Sequence, residues 1–359
     1  MSTLEKTCAA VVAVDVAAAV EAQRRLDAKT KPRKSLGELE NLARRLAAIY
    51  GIAEPPLPAK AVVVMAADHG VAEEGVSAYP SEVTAQMVCN FVTGGAAINV
   101  LARHAGARVV VVDMGTQPAG DGASLRGFLS QDFRDHRLGP GTANFTRGPA
   151  MARTTAVAAL EIGVTLARQL IADGIGLIAV GDMGIANTTS ASALTAAFTG
   201  APVGEITGRG TGIDDARLQR KIAVIGRALA INKPDRRDPV DVVAKIGGFE
   251  IAGLAGVMLG AAAKRVPIVL DGFITTAAAL IATALCPQLR DYLIAGHCSV
   301  EPGHAVALRH LDLTPLLSLH MRLGEGTGAV LAMNLAEAAL RILREMATFD
   351  GAGVSDAGA

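Results

Sequence analysis

Residues 61–70 read Ala61-Val62-Val63-Val64-Met65-Ala66-Ala67-Asp68-His69-Gly70. The unbroken apolar run over 61–66 is what a strand covered on both faces of a parallel sheet requires, since neither side is left for water. Similar runs occupy residues 109–112, 177–180, 266–270 and 292–295. At least one helix-like stretch separates each from the next. That alternation predicts an α/β protein with a mostly parallel sheet and helices on both of its faces.

The residues just after each run point to a site. The five runs lead into Asp68-His69-Gly70, Asp113-Met114-Gly115, Gly181-Asp182-Met183-Gly184, Asp271-Gly272-Phe273 and Gly296-His297. Ligands on open α/β sheets bind beyond the carboxyl ends of the strands. Aspartate and glycine also suit any tight turn, so one such end would mean little. Five at one sheet edge predict a binding site.

Composition narrows the class. A chain of 359 residues can bury a substantial core, as one large domain with a smaller appendage. Its 51% hydrophobic and 19% charged residues suit a soluble globular protein. Lys and Arg number 34, as do Asp and Glu, so no strong field favours nucleic acid or an anionic membrane. The densest basic run is only Lys31-Pro32-Arg33-Lys34. Cys8, Cys89, Cys286 and Cys298 show neither a C-x-x-C pair nor metal-ligand spacing, which suits free thiols in a reducing compartment. Glu5, Lys6 and Asp15 interrupt the N-terminus, and apolar runs such as 251–263 are shorter than a membrane span. The expectation is a cytoplasmic protein.

Near the N-terminus, Ser35-Leu36-Gly37-Glu38 reads as a capping box. Leu36, Leu39, Leu42, Leu46 and Ile49 recur behind it at helical spacing, and Gly51 supplies the stop.

Three glycine-rich stretches flank helices: residues 181–189, 208–212 and 323–328. Glycine lets backbone N–H groups approach a phosphate, and a helix N-terminus adds positive potential there. The first stretch is the best cradle, because strand, glycine turn and Thr/Ser-rich helix start come in order. Neither a P-loop nor a dinucleotide fingerprint is present.

Glu325 is the sharper feature, an acid between Gly324 and Gly326 ahead of a long apolar helix. A carboxylate there can simply face the helix dipole. It can equally serve as a general base, with partial burial raising its pKa. His69 and His297 end strands, where a turn hydrogen bond competes with a binding role. Lys221 falls on a helix. Asp214-Asp215 lacks the preceding apolar strand that a ribose-gripping acidic pair needs, and no hydrolase triad or metal motif occurs.

Taken in order, these stretches resemble the nicotinate-nucleotide–dimethylbenzimidazole phosphoribosyltransferases, which assemble the lower ligand of cobalamin. The resemblance runs from about Thr30 to Ser355. It is carried by Lys31-Pro32, Ser35-Leu36-Gly37, Ala67-Asp68-His69-Gly70-Val71, Tyr79-Pro80-Ser81-Glu82-Val83-Thr84 and Gly141-Thr142-Ala143-Asn144. It continues through Asn187-Thr188-Thr189, residues 245–250, Leu270-Asp271-Gly272-Phe273 and Met321-Arg322-Leu323-Gly324-Glu325-Gly326.

The resemblance implies a large α/β domain over residues 60–320 and a small helical domain drawn from residues 1–59 and 321–359. It also implies a homodimer. It makes Glu325 the catalytic base that takes the ring N–H proton of a benzimidazole as its other nitrogen attacks the ribose. It puts the base beside Tyr79, Gln86, Met87 and Leu323. The nucleotide's phosphate and ribose are expected at Gly184, Asn187, Thr188, Lys221, Asp271 and Gly272, with Asn144 and Asp182 also in the site. Asp182 stands where many relatives have Glu, which withdraws a carboxylate by about a bond length. Nicotinate mononucleotide carries its own leaving group, so neither metal nor cofactor is expected. Two alternatives share the fold: a transferase with a purine or phenolic acceptor, and a non-catalytic nucleotide-binding homologue.

Overall fold

A computed structural model of the chain describes residues 1–117, 132–210 and 212–355. Thr211, within the second glycine-rich stretch, lies outside the described residues. Helices α1 (Thr3–Ala9), α2 (Val16–Asp27) and α3 (Glu38–Tyr50) precede strand β1 (Ala59–Ala67). Helices α4 (Glu82–Thr93) and α5 (Ala97–Ala105) lead to β2 (Ala107–Gly115), and β3 (Phe133–Asp135) comes next. Helix α6 (Arg153–Ala172) delivers the chain to β4 (Ile175–Met183). The long crossover to β5 (Ile268–Leu270) contains α7 (Asn187–Thr199), α8 (Val203–Ile206), α9 (Asp215–Asn232), α10 (Pro239–Ile246) and α11 (Phe249–Ala262). Helix α12 (Phe273–Leu285) links β5 to β6 (Leu293–Ala295). Helices α13 (Pro302–His310), α14 (Thr327–Glu345) and α15 (Phe349–Ala352) complete the chain.

The six strands lie in the order β3-β2-β1-β4-β5-β6, and every described pairing is parallel. The expected strands are all present, within a few residues of the apolar runs. Strand β3 was not foreseen, because Phe-Arg-Asp at a sheet edge carries only one apolar residue. Strand order reverses between β1 and β4, which opens a crevice beyond their carboxyl ends.

Alternate residues serve opposite faces. Val63, Met65, Ile178 and Val180 join α6, α7, α11 and α12 in one apolar cluster. Val62, Val64, Leu177 and Ala179 join α2, α3, α5 and α14 in the other. Both faces are therefore dry, which is why the strands read as continuous apolar runs.

Helix α6 has the length and apolarity of a membrane span. Its burial in the fold accounts for that composition: Gly163 lies against Gly253, and Gly256 against Leu160 of α6, so tightly that a Cβ at either glycine would overlap the facing carbonyl. Small residues let the backbones of α6 and α11 approach at van der Waals distance.

The capping box is a correction. Helix α3 starts at Glu38 with Gly37 as its N-cap, and no side chain caps it. Glu40 takes over, accepting the Leu36 N–H at 3.1 Å and the buried Lys31 ammonium at 2.7 Å. The ion pair draws in the carboxylate two positions later than the motif suggested. Gly51 does end α3, in the left-handed conformation. Two of the four free cysteines, Cys8 and Cys286, meet although 278 positions apart.

Candidate active site

A cleft lies beyond the carboxyl ends of β4, β5 and β6, where open parallel sheets place their ligands. Its lining draws on five chain regions: Asp182, Gly184, Asn187 and Thr188; Gly210; Gly272; His297 and Glu301; and Arg322, Leu323 and Gly324.

The first group is shaped by a reversal of the backbone. Ala186, with φ +73°, is the N-cap of α7 and offers no side-chain cap. In the first turn the Asn187 N–H is bonded to the Gly184 carbonyl at 3.1 Å and the Thr189 N–H to the Ala186 carbonyl at 2.9 Å, so what the turn offers an anion is chiefly the helix dipole. Gly184 has no alternative, since a Cβ there would sit 2.6 Å from the Ala67 carbonyl. Thr188 Oγ1 accepts a bond from Lys221 Nζ at 2.7 Å, which leaves the hydroxyl proton free to donate. Lys221 is buried and stands behind Thr188 and Gly210 rather than in the lining itself. Burial pushes its ammonium down to about 8, opposed by the negative charge of Glu301.

Asp182 is buried beside this turn. Its Oδ2 accepts from Asn187 Nδ2 at 2.9 Å, while Oδ1 has no partner. Burial raises the carboxyl to about 8, helped by the charge of Asp271 and opposed by the Asn187 bond. Near neutrality it is mainly the protonated acid, a hydrogen-bond donor rather than a counter-charge.

Glu325 adopts φ +64° between Gly324 at +87° and Gly326 at +90°, three left-handed residues in succession. The glycines on either side take up the left-handed path of this loop. The loop crosses β4 so closely that a Cβ on Gly181 would lie 2.5 Å from the Gly326 nitrogen. The Glu325 N–H donates to the Asp182 carbonyl at 3.2 Å, and its Oε2 accepts from Ile98 N, at the start of α5, at 3.2 Å. The carboxyl is raised above its ordinary pKa by burial, partly offset by the Ile98 bond and reinforced by the Asp271 charge.

The other expected residues divide. Asp271 is fully enclosed, and its carboxylate accepts from Gly326 N at 3.2 Å, Gly328 N at 2.7 Å and Ala329 N at 3.1 Å. Gly272 and Leu323 line the cleft. Tyr79 and Gln86 are exposed and Met87 half-buried, on and just before α4, outside the lining. Asn144 is also outside it, with its side chain bonded to Glu74 and Thr146. His69 pairs with Glu250 at 2.7 Å inside the protein. Asp113 accepts from the Gly115 and Thr116 N–H groups of its own turn, and Asp214 caps α9. Asp113 is thus a turn residue and Asp214 a helix cap.

A phosphoribosyltransferase family model matches residues 11–354. The nicotinate-nucleotide–dimethylbenzimidazole phosphoribosyltransferases of Chloroflexus aggregans and Roseiflexus castenholzii are each 59% identical, over 99% of this chain and of theirs. The chain belongs to the nicotinate-nucleotide–dimethylbenzimidazole phosphoribosyltransferase family. The crystal structure of the Thermus thermophilus enzyme of that name superposes with a TM-score of 0.88 at 49% identity, covering 95% of this chain and 99% of that one. The six-stranded α/β fold is thus shared with a member of the phosphoribosyltransferase family.

Sequence reading missed Ile98, Glu301 and His304. Glu301 accepts from Gly210 N at 2.9 Å and keeps Oε2 without a partner. An acid before Pro302 marks a helix start, and that signal was available. His304 Nδ1 accepts from Ser299 N at 2.9 Å, and its Nε2 lies 3.0 Å from the Thr276 hydroxyl, which donates onward to Gly272 O. That makes His304 a neutral Nε2–H tautomer, in keeping with burial pushing it down to about 3. For Ile98 there was no signal, because only its backbone N–H acts.

Proposed function

We propose that the chain transfers the phosphoribosyl group of nicotinate mononucleotide to 5,6-dimethylbenzimidazole or a similar base, giving α-ribazole 5'-phosphate and nicotinate. The observation that carries the chemistry is the buried Glu325 carboxyl, lifted above its ordinary pKa and held against the sheet edge. The bond between the pyridinium nitrogen and the anomeric carbon breaks, and its electron pair leaves with nicotinate. One ring nitrogen of the incoming base attacks that carbon, and the N–H proton on the other passes to Glu325 and then to solvent. General-base assistance of this kind contributes roughly 10²–10⁴-fold.

The nucleotide's phosphate is read at the N-terminus of α7, with the Thr188 hydroxyl donating and Lys221 supplying charge from behind. Protonated Asp182 donates to a ligand oxygen from its unpartnered side. The base is read on the α4 and α5 side of Glu325, towards Met87, Tyr79 and Gln86, with Leu323 at the mouth.

Residues 1–59 and 321–359 are read as one small helical unit. The Lys29–Thr348 bridge and the 2.7 Å bond from Lys29 Nζ to Met346 O support this. The reading extends to a cytoplasmic homodimer, to be checked by sedimentation. Nicotinate release from nicotinate mononucleotide, assayed across benzimidazoles, purines and phenols, tests the function. Preference for a purine or phenol would replace the acceptor, and no release with any of them would sink the transferase reading for this chain.

A further inference from the structure

We propose that Asp271 is a positioning residue for Glu325, a remote cap that fixes the start of α14 rather than a substrate contact. This rests on the reading of Glu325 as the base. Helix α14 begins with Gly326 as N-cap, so its first turn has no side chain of its own to accept the free N–H groups. Asp271, 55 to 58 positions earlier at the end of β5, does so instead: Oδ2 takes Gly326 N, and Oδ1 takes Gly328 N and Ala329 N. With a side chain of zero exposure and both oxygens engaged, it offers nothing to a ligand.

Asp271 is itself held. Its N–H donates to Thr275 Oγ1 at 3.0 Å, and His297 Nε2 lies 3.4 Å from Oδ1. Gly328 packs onto the His297 ring so closely that any Cβ would overlap it. Glu325 therefore hangs between two neighbouring strands, by its own N–H to the Asp182 carbonyl of β4 and through Gly326 to the Asp271 carboxylate of β5. A non-glycine residue with φ +64° costs about 1–2 kcal/mol. Anchors on both sides make that conformation the single one available.

The groups facing the Glu325 carboxyl are the Ile98 N–H of α5, the Asp271 carboxylate of β5 and the Asp182 carboxyl of β4. Asp182 is neutral through the acid range. Removing the Asp271 charge should then let Glu325 ionise at lower pH.

The test is Asp271→Asn, Glu325→Gln and the double variant, with single-turnover rates measured across pH. Asp271→Asn presents an NH₂ to the Gly326 N–H and should lower the rate roughly hundredfold, as displacement of a reacting group by about 1 Å does. KM for both substrates should stay within about threefold, and the acid limb should move to lower pH. The double variant should be no slower than Glu325→Gln alone, because Asp271 acts through Glu325. Additive losses, an unshifted acid limb, or a raised nucleotide KM at unchanged rate would each overturn the proposal. Near-normal activity of Glu325→Gln would instead remove the base reading, which is a separate failure. If Asp271→Asn does not fold, His297→Gln, which leaves the Asp271 charge in place, is read on rate and additivity alone, with a smaller loss expected and additive losses again overturning the proposal.

Discussion

Glu325 Oε2 and the Ile98 backbone N–H are joined by a 3.2 Å hydrogen bond across 227 positions of sequence. The bond ties the loop before α14 to the first turn of α5, whose dipole favours the ionised carboxylate. Burial works against it and wins, so the carboxyl sits above its ordinary pKa. On the proposed reading, two opposed effects thus leave a carboxylate that accepts a proton more readily than an exposed glutamate does.

Glu325→Gln keeps the shape and the Ile98 contact but cannot take a proton. The expected result is a kcat reduced roughly 10²–10⁴-fold with KM for both substrates nearly unchanged. In the wild type, kcat should fall with decreasing pH through a midpoint above the usual glutamate value, and that acid limb should vanish in the variant.

Lys221 tests the anion end of the cleft. With its ammonium held down to about 8 by burial, the charge is lost as pH rises beyond that value in the unliganded protein. Nucleotide affinity should weaken above pH 8, measured by titration calorimetry, while affinity for the base does not. Lys221→Met retains the buried stem, should raise nucleotide KM roughly tenfold (on the order of 1.4 kcal/mol), and should flatten that pH dependence.

Asp182 couples the site to stability. Its folded pKa of about 8 lies above the ordinary 3.8, so the native state holds a proton that the unfolded chain releases. Its contribution is complete below about pH 3.8 and is lost as pH rises towards 8. Asp182→Asn is free of that loss. The Tm difference between variant and wild type should therefore grow in the variant's favour from pH 5 to pH 8, by at least about 2 °C. A gap independent of pH would show that the carboxyl is not protonated in the fold.

Two glycines should fail differently. Gly181→Ala pushes on the Glu325 main chain and Gly163→Ala on the α6–α11 contact. Overpacking costs typically about 1–3 kcal/mol in either place. Gly181→Ala should lower kcat strongly, whereas Gly163→Ala should lower Tm and leave kcat per folded molecule unchanged.

Much of the architecture was legible because the sheet is dry on both sides, which forces continuous apolar runs such as 61–66 and 177–180 into the sequence. The parallel order placed Asp182, Asp271 and His297 at one edge without further information. The features that stayed hidden depend on backbone atoms and distant pairings. Nothing about Ile98 announces its N–H, and no local pattern ties Asp271 to Gly326. Ser35 and Glu38 matched a local motif, but the buried Lys31–Glu40 pair settles the start of α3 in another way. Lys221 could be assigned to a helix but not to a layer behind the cleft wall.

The main-chain suspension of Glu325 separates two kinds of inheritance. Its place depends on carbonyls, N–H groups, missing side chains and one buried carboxylate, that of Asp271. Tyr79 and Leu323 are exposed and take no part in that suspension. On the function proposed above, exchanging rim side chains would change which base is accepted without moving the proton acceptor.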